Sequence, residues 1–526
     1  MRFKLSLLAL SAIVFCTNAQ TDTVAIRFSK LIRAESLKKN LSVLASDEYE
    51  GRETGMKGQK MAAKYISEHF RSAGIPLINS SYYQPFNVVL HKPQQIEVEI
   101  NGKRIKPNVD YYSPSSSVKD SVFSVSEIMF AGYGINSLNY NDYQFISSSP
   151  KVLMIAEEEP FNTAGVSYVN GSKEISEWST MRKKKINEAR KKGAKVLIVV
   201  DKDLQKNLEE NAHRIYYSRM SLEEDFKESA LPTDLLIVHI NTSTANAILK
   251  STGKKIESIL SGISSNGKPD VFNFTTDIRL NVKQTHEILP TENVLGFVEG
   301  TDLKSEVLVI TAHYDHIGKE GNTVFNGADD DGSGTVGVME LAKVFMQAKK
   351  KGKGPRRSIL FMTVAGEEKG LLGSDYYSRH PIFPLKNTIA NLNIDMIGRI
   401  DKEHEGNPNY IYIIGSNMLS SELHTINENC NANYVNLKLD YTFNREDDPN
   451  RYYYRSDHYN FAKHNIPVIF YFNGVHEDYH QETDEVNKIN FQKMEKITRL
   501  VFFTAWELAN RNERIKLNPE KISEGK

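Results

Sequence analysis

Several residues of metal-binding type fall at separated points in the second half of the chain. His313 follows the apolar run Val307–Thr311, and Glu367-Glu368 follow Ser358–Ala365. Asp395 follows Ile389–Ile394, and His480 lies in the segment Gly474–Asp484 beyond Pro467–Phe472. Imidazole and carboxylate oxygen are the ligands zinc takes in an oxygen-rich hydrolytic site. Two divalent metals about 3.5–4 Å apart need one shared carboxylate and two private ligands each. Asp329, within Asn326-Gly327-Ala328-Asp329-Asp330-Asp331-Gly332, is expected to bridge, because small neighbours let the backbone approach closely. The expected metal set is therefore His313, Asp329, Glu368, Asp395 and His480. Asp315, two residues after His313 along an extended chain, is expected to accept the other imidazole N–H and orient the ring. Glu367, beside a ligand but not needed as one, is expected to move the proton of an attacking water.

These groups can meet only if the fold gathers them, and the surrounding pattern says how. Each follows the carboxyl end of a short apolar run, and in open α/β sheets the binding crevice forms outside those ends. With Tyr410–Ile414, the runs alternate with the helical patterns Thr335–Gln347 and Phe491–Asn510. That alternation predicts an α/β fold, a mixed but mainly parallel sheet sandwiched by helices. Upstream, Leu37, Leu41 and Leu44, then Met61, Ala62, Tyr65, Ile66 and Phe70, recur at helical spacing and stop at Gly74-Ile75-Pro76. Between them lies the polar loop Glu50–Gly55. Apolar runs at Phe123–Phe130, Val152–Ala156, Val196–Val200 and Leu235–Ile240 mark a smaller, β-rich α/β insertion. The expected organisation is 1–19 signal peptide, 20–116 helical start of the main domain, 117–262 insertion, 263–515 main domain resumed, and 516–526 polar tail.

Lysine plus arginine equals aspartate plus glutamate, 66 of each. Bulk charge therefore points to neither nucleic acid nor an anionic membrane. The basic stretch Met181–Lys192 reads as a solvated helix face. Met1-Arg2-Phe3-Lys4, the apolar run Leu5–Phe15 and the small residues before Ala19 follow the pattern of a secretory signal. Export to the periplasm or the medium is expected, with Cys430 left as a lone thiol. No later stretch reads as a membrane helix.

Two motifs compete for residues of the set. His476-Glu477-Asp478-Tyr479-His480 fits H-E-x-x-H, which serves a single zinc when both histidines share a helix face. Gly474 and the polar inner residues argue for a loop instead. Asp329–Glu340 has the length and the glycine of an EF-hand calcium loop. It lacks an entering helix, and Glu340 falls inside an apolar helical pattern. Ser456-Asp457-His458 cannot be a serine triad, because adjacent residues cannot face one another in that geometry. The aromatic residues Tyr452-Tyr453-Tyr454 and Tyr471-Phe472 are candidates for a pocket wall.

The sequence resembles the zinc aminopeptidases of peptidase family M28, which includes aminopeptidase Y and the glutamate-carboxypeptidase relatives. The matching stretches are Val309–Gly318, Asn326–Asp330, Ala365–Glu368 with Gly373-Ser374, Asn393–Gly398, and Asp478–His480. The resemblance implies a zinc-exopeptidase fold and two zinc ions per chain, in sites that cobalt or manganese can also fill. One ion would be held by His313, Asp329 and Asp395, the other by Asp329, Glu368 and His480, with Glu367 as general base. It implies a peptide substrate cleaved at its free amino terminus. Glutaminyl cyclases and carboxypeptidases share the fold, and an inactive binding protein is a further alternative. The insertion resembles a protease-associated domain in Ala131-Gly132-Tyr133-Gly134 and Lys192-Gly193-Ala194.

Overall fold

The computed structural model describes residues 21–519 apart from 115–117, 119, 145, 147–148, 211, 213–218 and 229–234. The expected signal peptide 1–19 and the outer part of the polar tail lie outside the described residues. The chain divides into two compact units, one formed by residues up to Asn87 and from Pro290 onward, the other by Val88–Leu289.

The first unit is built on strands β1 (His286–Val298), β2 (Leu303–His313), β3 (Arg357–Val364), β4 (Thr388–Ile394), β5 (Tyr410–Ile414), β6 (Lys438–Asp440) and β7 (Val468–Phe472). Their order across the sheet is β6-β5-β7-β4-β2-β3-β1, with Tyr83–His91 beyond β1. β2 runs parallel to β3 and β4, and β4 parallel to β7, while β1 and β5 are antiparallel to their neighbours β3 and β7. Every residue of β3, β4 and β7 is buried. That matches their largely apolar composition, the pattern of strands covered on both faces. The register sets His313 opposite Val364, Thr311 opposite Asn393 and Ile394 opposite Tyr471. The carboxyl ends of β2, β3, β4 and β7 therefore lie side by side along one edge.

The covering helices include α1 (Ala34–Leu44), α2 (Lys57–Ala73), α3 (Gly334–Lys350), α4 (Leu372–Arg379) and α5 (Phe491–Asn510). α2 stops where Gly74 takes φ 79° and Ile75 N–H returns to the Phe70 carbonyl at 3.0 Å, a glycine-closed helix end. α3 buries nearly all of Gly334–Phe345 and packs on α2, α5 and the sheet. Phe345 meets Phe502 with ring centroids 5.0 Å apart. α5 starts at Asn490, whose side chain accepts from Lys493 N–H. Its last carbonyls are met by Arg357, whose Nη1 donates to Leu508 and Arg511 at 3.1 and 2.6 Å. An orphaned helix end thus becomes an anchor on β3.

The second unit holds its own sheet. Strands Ser121–Ala131, Val152–Ala156, Val196–Val200 and Leu236–Ile240 run parallel and adjacent, flanked by antiparallel strands. Its bounds are wider than the expected 117–262. Gln95–Ile100 and Val271–Lys283 pair with each other, Ile278 with Ile100 and Val282 with Ile96. Their alternating exposed and buried residues hid them from a search for apolar runs. The unit's two ends meet where Lys92 N–H donates to the Thr285 carbonyl at 3.0 Å. The basic helix, Arg182–Lys191, is solvated except at Lys185, Glu188 and Ala189. Lys185 Nζ is buried and donates to the carbonyls of Ala156, Glu157 and Glu158.

Candidate metal centre

The strand ends deliver the side chains. His313 closes β2, where Thr335 Oγ1 donates to its carbonyl at 2.6 Å and its own N–H donates to Asp331 Oδ2 at 3.2 Å. Gly366, at φ 80°, turns the chain off β3, a conformation that suits glycine. Glu367 and Glu368 follow it. Asp395 leaves β4 behind a buried polar relay in which Thr311 donates to Asn393, Asn393 to Ser456, and Ser456 to Asp395 Oδ2, at 2.6, 2.8 and 2.6 Å.

The three successive aspartates before α3 go three ways. Asp330 has φ −101° and ψ 103°, near-extended backbone in which neighbouring side chains point to opposite sides. Asp329 turns from the centre. Its Oδ1 accepts from Gly398 N–H at 2.6 Å, and its Oδ2 lies 3.2 Å from Asn473 Nδ2 and 3.3 Å from His476 Nε2. Asp331 accepts from the backbone N–H groups of His313, Gly334 and Met396. Only Asp330 faces the cluster, with Oδ1 3.2 Å from His313 Nε2 and Oδ2 3.0 Å from His480 Nε2. Asp330, and not the expected Asp329, is therefore the aspartate set between His313 and His480. Composition gave no way to choose among three aspartates, because backbone direction decides it.

Around Asp330 the groups form two sets. Asp395 Oδ1 and Glu367 Oε2 lie 3.7 and 3.9 Å from His313 Nε2. Glu368 Oε2 lies 3.2 Å from His480 Nε2, and its Oε1 lies 2.8 Å from His316 Nδ1. His313, Glu367 and Asp395 offer one compact group of possible metal donors, and His316, Asp330 and Glu368 another. His316 Nδ1, His480 Nε2 and Glu368 Oε1 are buried without a hydrogen bond. Donor atoms that crowd together yet satisfy none of each other fit a cation between them.

The electrostatics agree. Burial opposes a charged His313, but Glu367, Asp330 and Asp395 outweigh it and hold the ring well above its usual range. His480 is pushed up to about 10, with Asp330 and Glu368 overcoming burial. Burial, together with the Glu368 and Asp395 carboxylates, raises Glu367 well above the ordinary glutamate range. Four carboxylates converge here, and the negative charge that raises both rings would equally favour a dication.

Other expected residues stand elsewhere. His313 Nδ1 meets the backbone carbonyl of Asp315 at 3.1 Å, whereas the Asp315 carboxylate is 3.8 Å away. That carboxylate accepts from Thr54 Oγ1 at 2.7 Å and Glu367 N–H at 3.2 Å. Asp315 thus positions Glu367, while its carbonyl orients the ring. No helix spans 476–480, so His476 and His480 share no helix face. Glu340, inside α3, accepts from Ser36 and Lys343, leaving no twelfth ligand for a calcium loop. The loop Glu50–Gly55, read as merely polar, buries Arg52. Its guanidinium donates to the carbonyls of Tyr314, Leu44, Asn326 and Gly327. An arginine between glycines, in a loop joining two amphipathic helices, was the only available hint. His316, three residues after His313, and Ser456 were visible only as parts of longer motifs.

A small cleft opens on the centre, lined by His313, Asp330, Glu367 and Asp395 on one side. Met396, Tyr452, Phe470, Phe472, Val475 and Tyr479 make its apolar wall, and Arg455 also lines it. Tyr453, Tyr454 and Tyr471 are not among the lining residues. Tyr471 is buried, with its hydroxyl on Asn427.

Residues 293–505 match the family model described as Peptidase family M28. A probable zinc metalloprotease of Pyrenophora tritici-repentis is 39% identical over 116 residues, covering 20% of this chain and 22% of that protein. Leucine aminopeptidase 1 of Sclerotinia sclerotiorum is 30% identical over 220 residues, covering 39% of this chain and 53% of that one. These matches span about a fifth to a half of each relative's length. The solved aminopeptidase from Aneurinibacillus sp. strain AM-1 superposes with TM-score 0.55 at 18% identity, over 94% of this chain and 98% of that one, which establishes a shared fold. Residues 293–505, the segment that carries every group of this candidate centre, are thus similar to peptidase family M28.

Proposed function

We propose that this chain is an exported, zinc-dependent aminopeptidase that uses two zinc ions to remove the first residue of a peptide. The observation that carries this reading is Asp330, whose two oxygens face two different histidines, His313 at 3.2 Å and His480 at 3.0 Å. His313, Asp330 and Asp395 would hold one ion. Asp330, Glu368 and His480 would hold the other, with His316 beside them. Bound zinc would supply Lewis acidity toward the scissile carbonyl and toward water.

The remaining chemistry belongs to the chain. Glu367, held by its backbone N–H on Asp315, would take a proton from the attacking water and pass it to the departing amine. The wall of Met396, Phe470, Phe472 and Val475 suits a large apolar first side chain. The second unit we read as a protease-associated domain. In support, Gly132 and Gly134 take positive φ beside Asp142, which accepts from Tyr133 and Ile135 N–H.

The test compares leucine anilide with its N-acetyl form, using chelator-stripped protein with and without added zinc. Hydrolysis of the free-amine substrate alone, restored by zinc, is expected. Glu367→Gln should keep its zinc and lose about 10²–10⁴ in kcat. Equal cleavage of both substrates, pyroglutamate release from amino-terminal glutamine, or a near-normal Glu367→Gln rate would overturn the reading.

A further inference from the structure

A second group of donors lies wholly in the Val88–Leu289 unit. Glu157 follows the strand Val152–Ala156, Asp201 follows Val196–Val200, and His239 lies in Leu236–Ile240. These strands are parallel neighbours, and backbone bonds at their ends (Glu157 N–H to Val200, Asp201 N–H to Ile240) hold the three residues at one edge. One donor atom from each lies within 4.8 Å of the others. We propose that Glu157, Asp201 and His239 form a further site for a divalent transition metal of the zinc class, one that ties the three strands together.

His239 is only 4% exposed, and its Nδ1 has no hydrogen bond. That nitrogen points at Glu157 Oε2, itself unpartnered, at 3.6 Å, too far to bond directly. Two buried polar atoms facing each other across such a gap imply a missing partner. The surroundings fix the donors. Arg182 pairs with Glu157 Oε1 and leaves Oε2 turned inward. Asn207 Nδ2 donates to both Asp201 oxygens at 2.9 Å. Tyr112 stacks flat on the imidazole, centroids 4.5 Å apart. Supported ligands of this kind are what metal sites need.

Charge points the same way. Arg182 pairs with Glu157, whereas Asp201 is held by the neutral Asn207 amide and makes no ion pair among the described residues. One imidazole nitrogen with two carboxylates suits zinc, manganese or cobalt rather than calcium or magnesium.

The experiment titrates chelator-stripped, full-length protein with Zn²⁺ and counts bound equivalents. Wild type should bind one equivalent more than His239→Gln or Asp201→Asn, with peptidase kcat/KM unchanged within twofold. Because the difference is read between proteins sharing one peptidase centre, it stands however many ions that centre takes. Hydrogen exchange on wild type supplies a readout free of folding defects. Zinc should slow exchange across 152–157, 196–201 and 236–240. Equal equivalents in folded variants, or no zinc-dependent protection of those segments in wild type, would overturn the proposal in favour of a carboxyl pair sharing a proton.

Discussion

Ser456 Oγ donates a 2.6 Å hydrogen bond to Asp395 Oδ2, leaving Oδ1 as the oxygen that faces His313. Ser456→Ala frees the carboxylate to rotate. Partners behind a ligand typically carry about 10–100-fold in metal affinity. Zinc titration of the variant should show a loss of that order, with turnover recovering as zinc is added. An unchanged zinc affinity would remove Ser456 from the centre.

Asp329 and Asp330 differ by one position and by a whole function. On the proposed two-metal reading, Asp330→Asn should lower activity by at least about 10³-fold, because the carboxylate between His313 and His480 is lost. Asp329→Asn should stay within about tenfold of wild type. It should cost about 1–3 kcal/mol of stability, since Asp329 satisfies Gly398, Asn473 and His476 in a buried place. Parallel kinetics and urea melts separate the two. The reverse ranking would restore Asp329 as the bridge.

Arg52 is 1% exposed and binds four carbonyls drawn from both halves of the first unit. Arg52→Met leaves those acceptors buried and unpaired, at about 1–3 kcal/mol for each carbonyl that finds no new donor. Arg52→Lys should recover part of this, because a single ammonium cannot span the fork's reach. Thermal unfolding of the two variants gives the measurement. A melting temperature within two or three degrees of wild type for Arg52→Met, about 1 kcal/mol, would contradict the role.

Burial holds His458 down to about 3, against weak support from the Tyr453 backbone. Unfolded histidine titrates near 6.5, so between those values the unfolded chain binds the extra proton. The contribution is complete above about pH 6.5 and declines as pH falls toward 3, by up to about 1.4 kcal/mol per unit. His458→Phe, which can keep the stack on Phe470 at 4.8 Å, should show a shallower acid slope. Parallel slopes for the two proteins would mean that His458 is not held neutral in the fold.

The parts legible in the sequence were those written as apolar runs. β3, β4 and β7 are buried on both faces, so their composition announced them, and the clusters at their ends followed. Glu367, Glu368, Asp395 and His313 come together because strand register fixes where a strand ends. The choice between Asp329 and Asp330 depends on backbone torsions that composition does not encode. Asp315 illustrates the same limit. Its place beside His313 was evident, but whether carbonyl or carboxylate would meet the ring depended on Thr54, more than 250 residues earlier in the chain. Gln95–Ile100 and Val271–Lys283 alternate polar and apolar residues instead of forming apolar runs, and the extent of the second unit depends on their pairing.

The Lys92–Thr285 backbone bond bears on how the first unit can assemble at all. Arg52 must wait for Asn326 and Gly327, with about 200 residues of the second unit between them. If that stretch were slack, closing it would cost roughly 3 kcal/mol more than closing a loop of a few residues. Folded, with its two ends already bonded at 3.0 Å, the second unit acts as a short staple in the chain of the first. A mutation that unfolded it would weaken the distant Arg52 contacts without touching them, by restoring the entropy of a long tether.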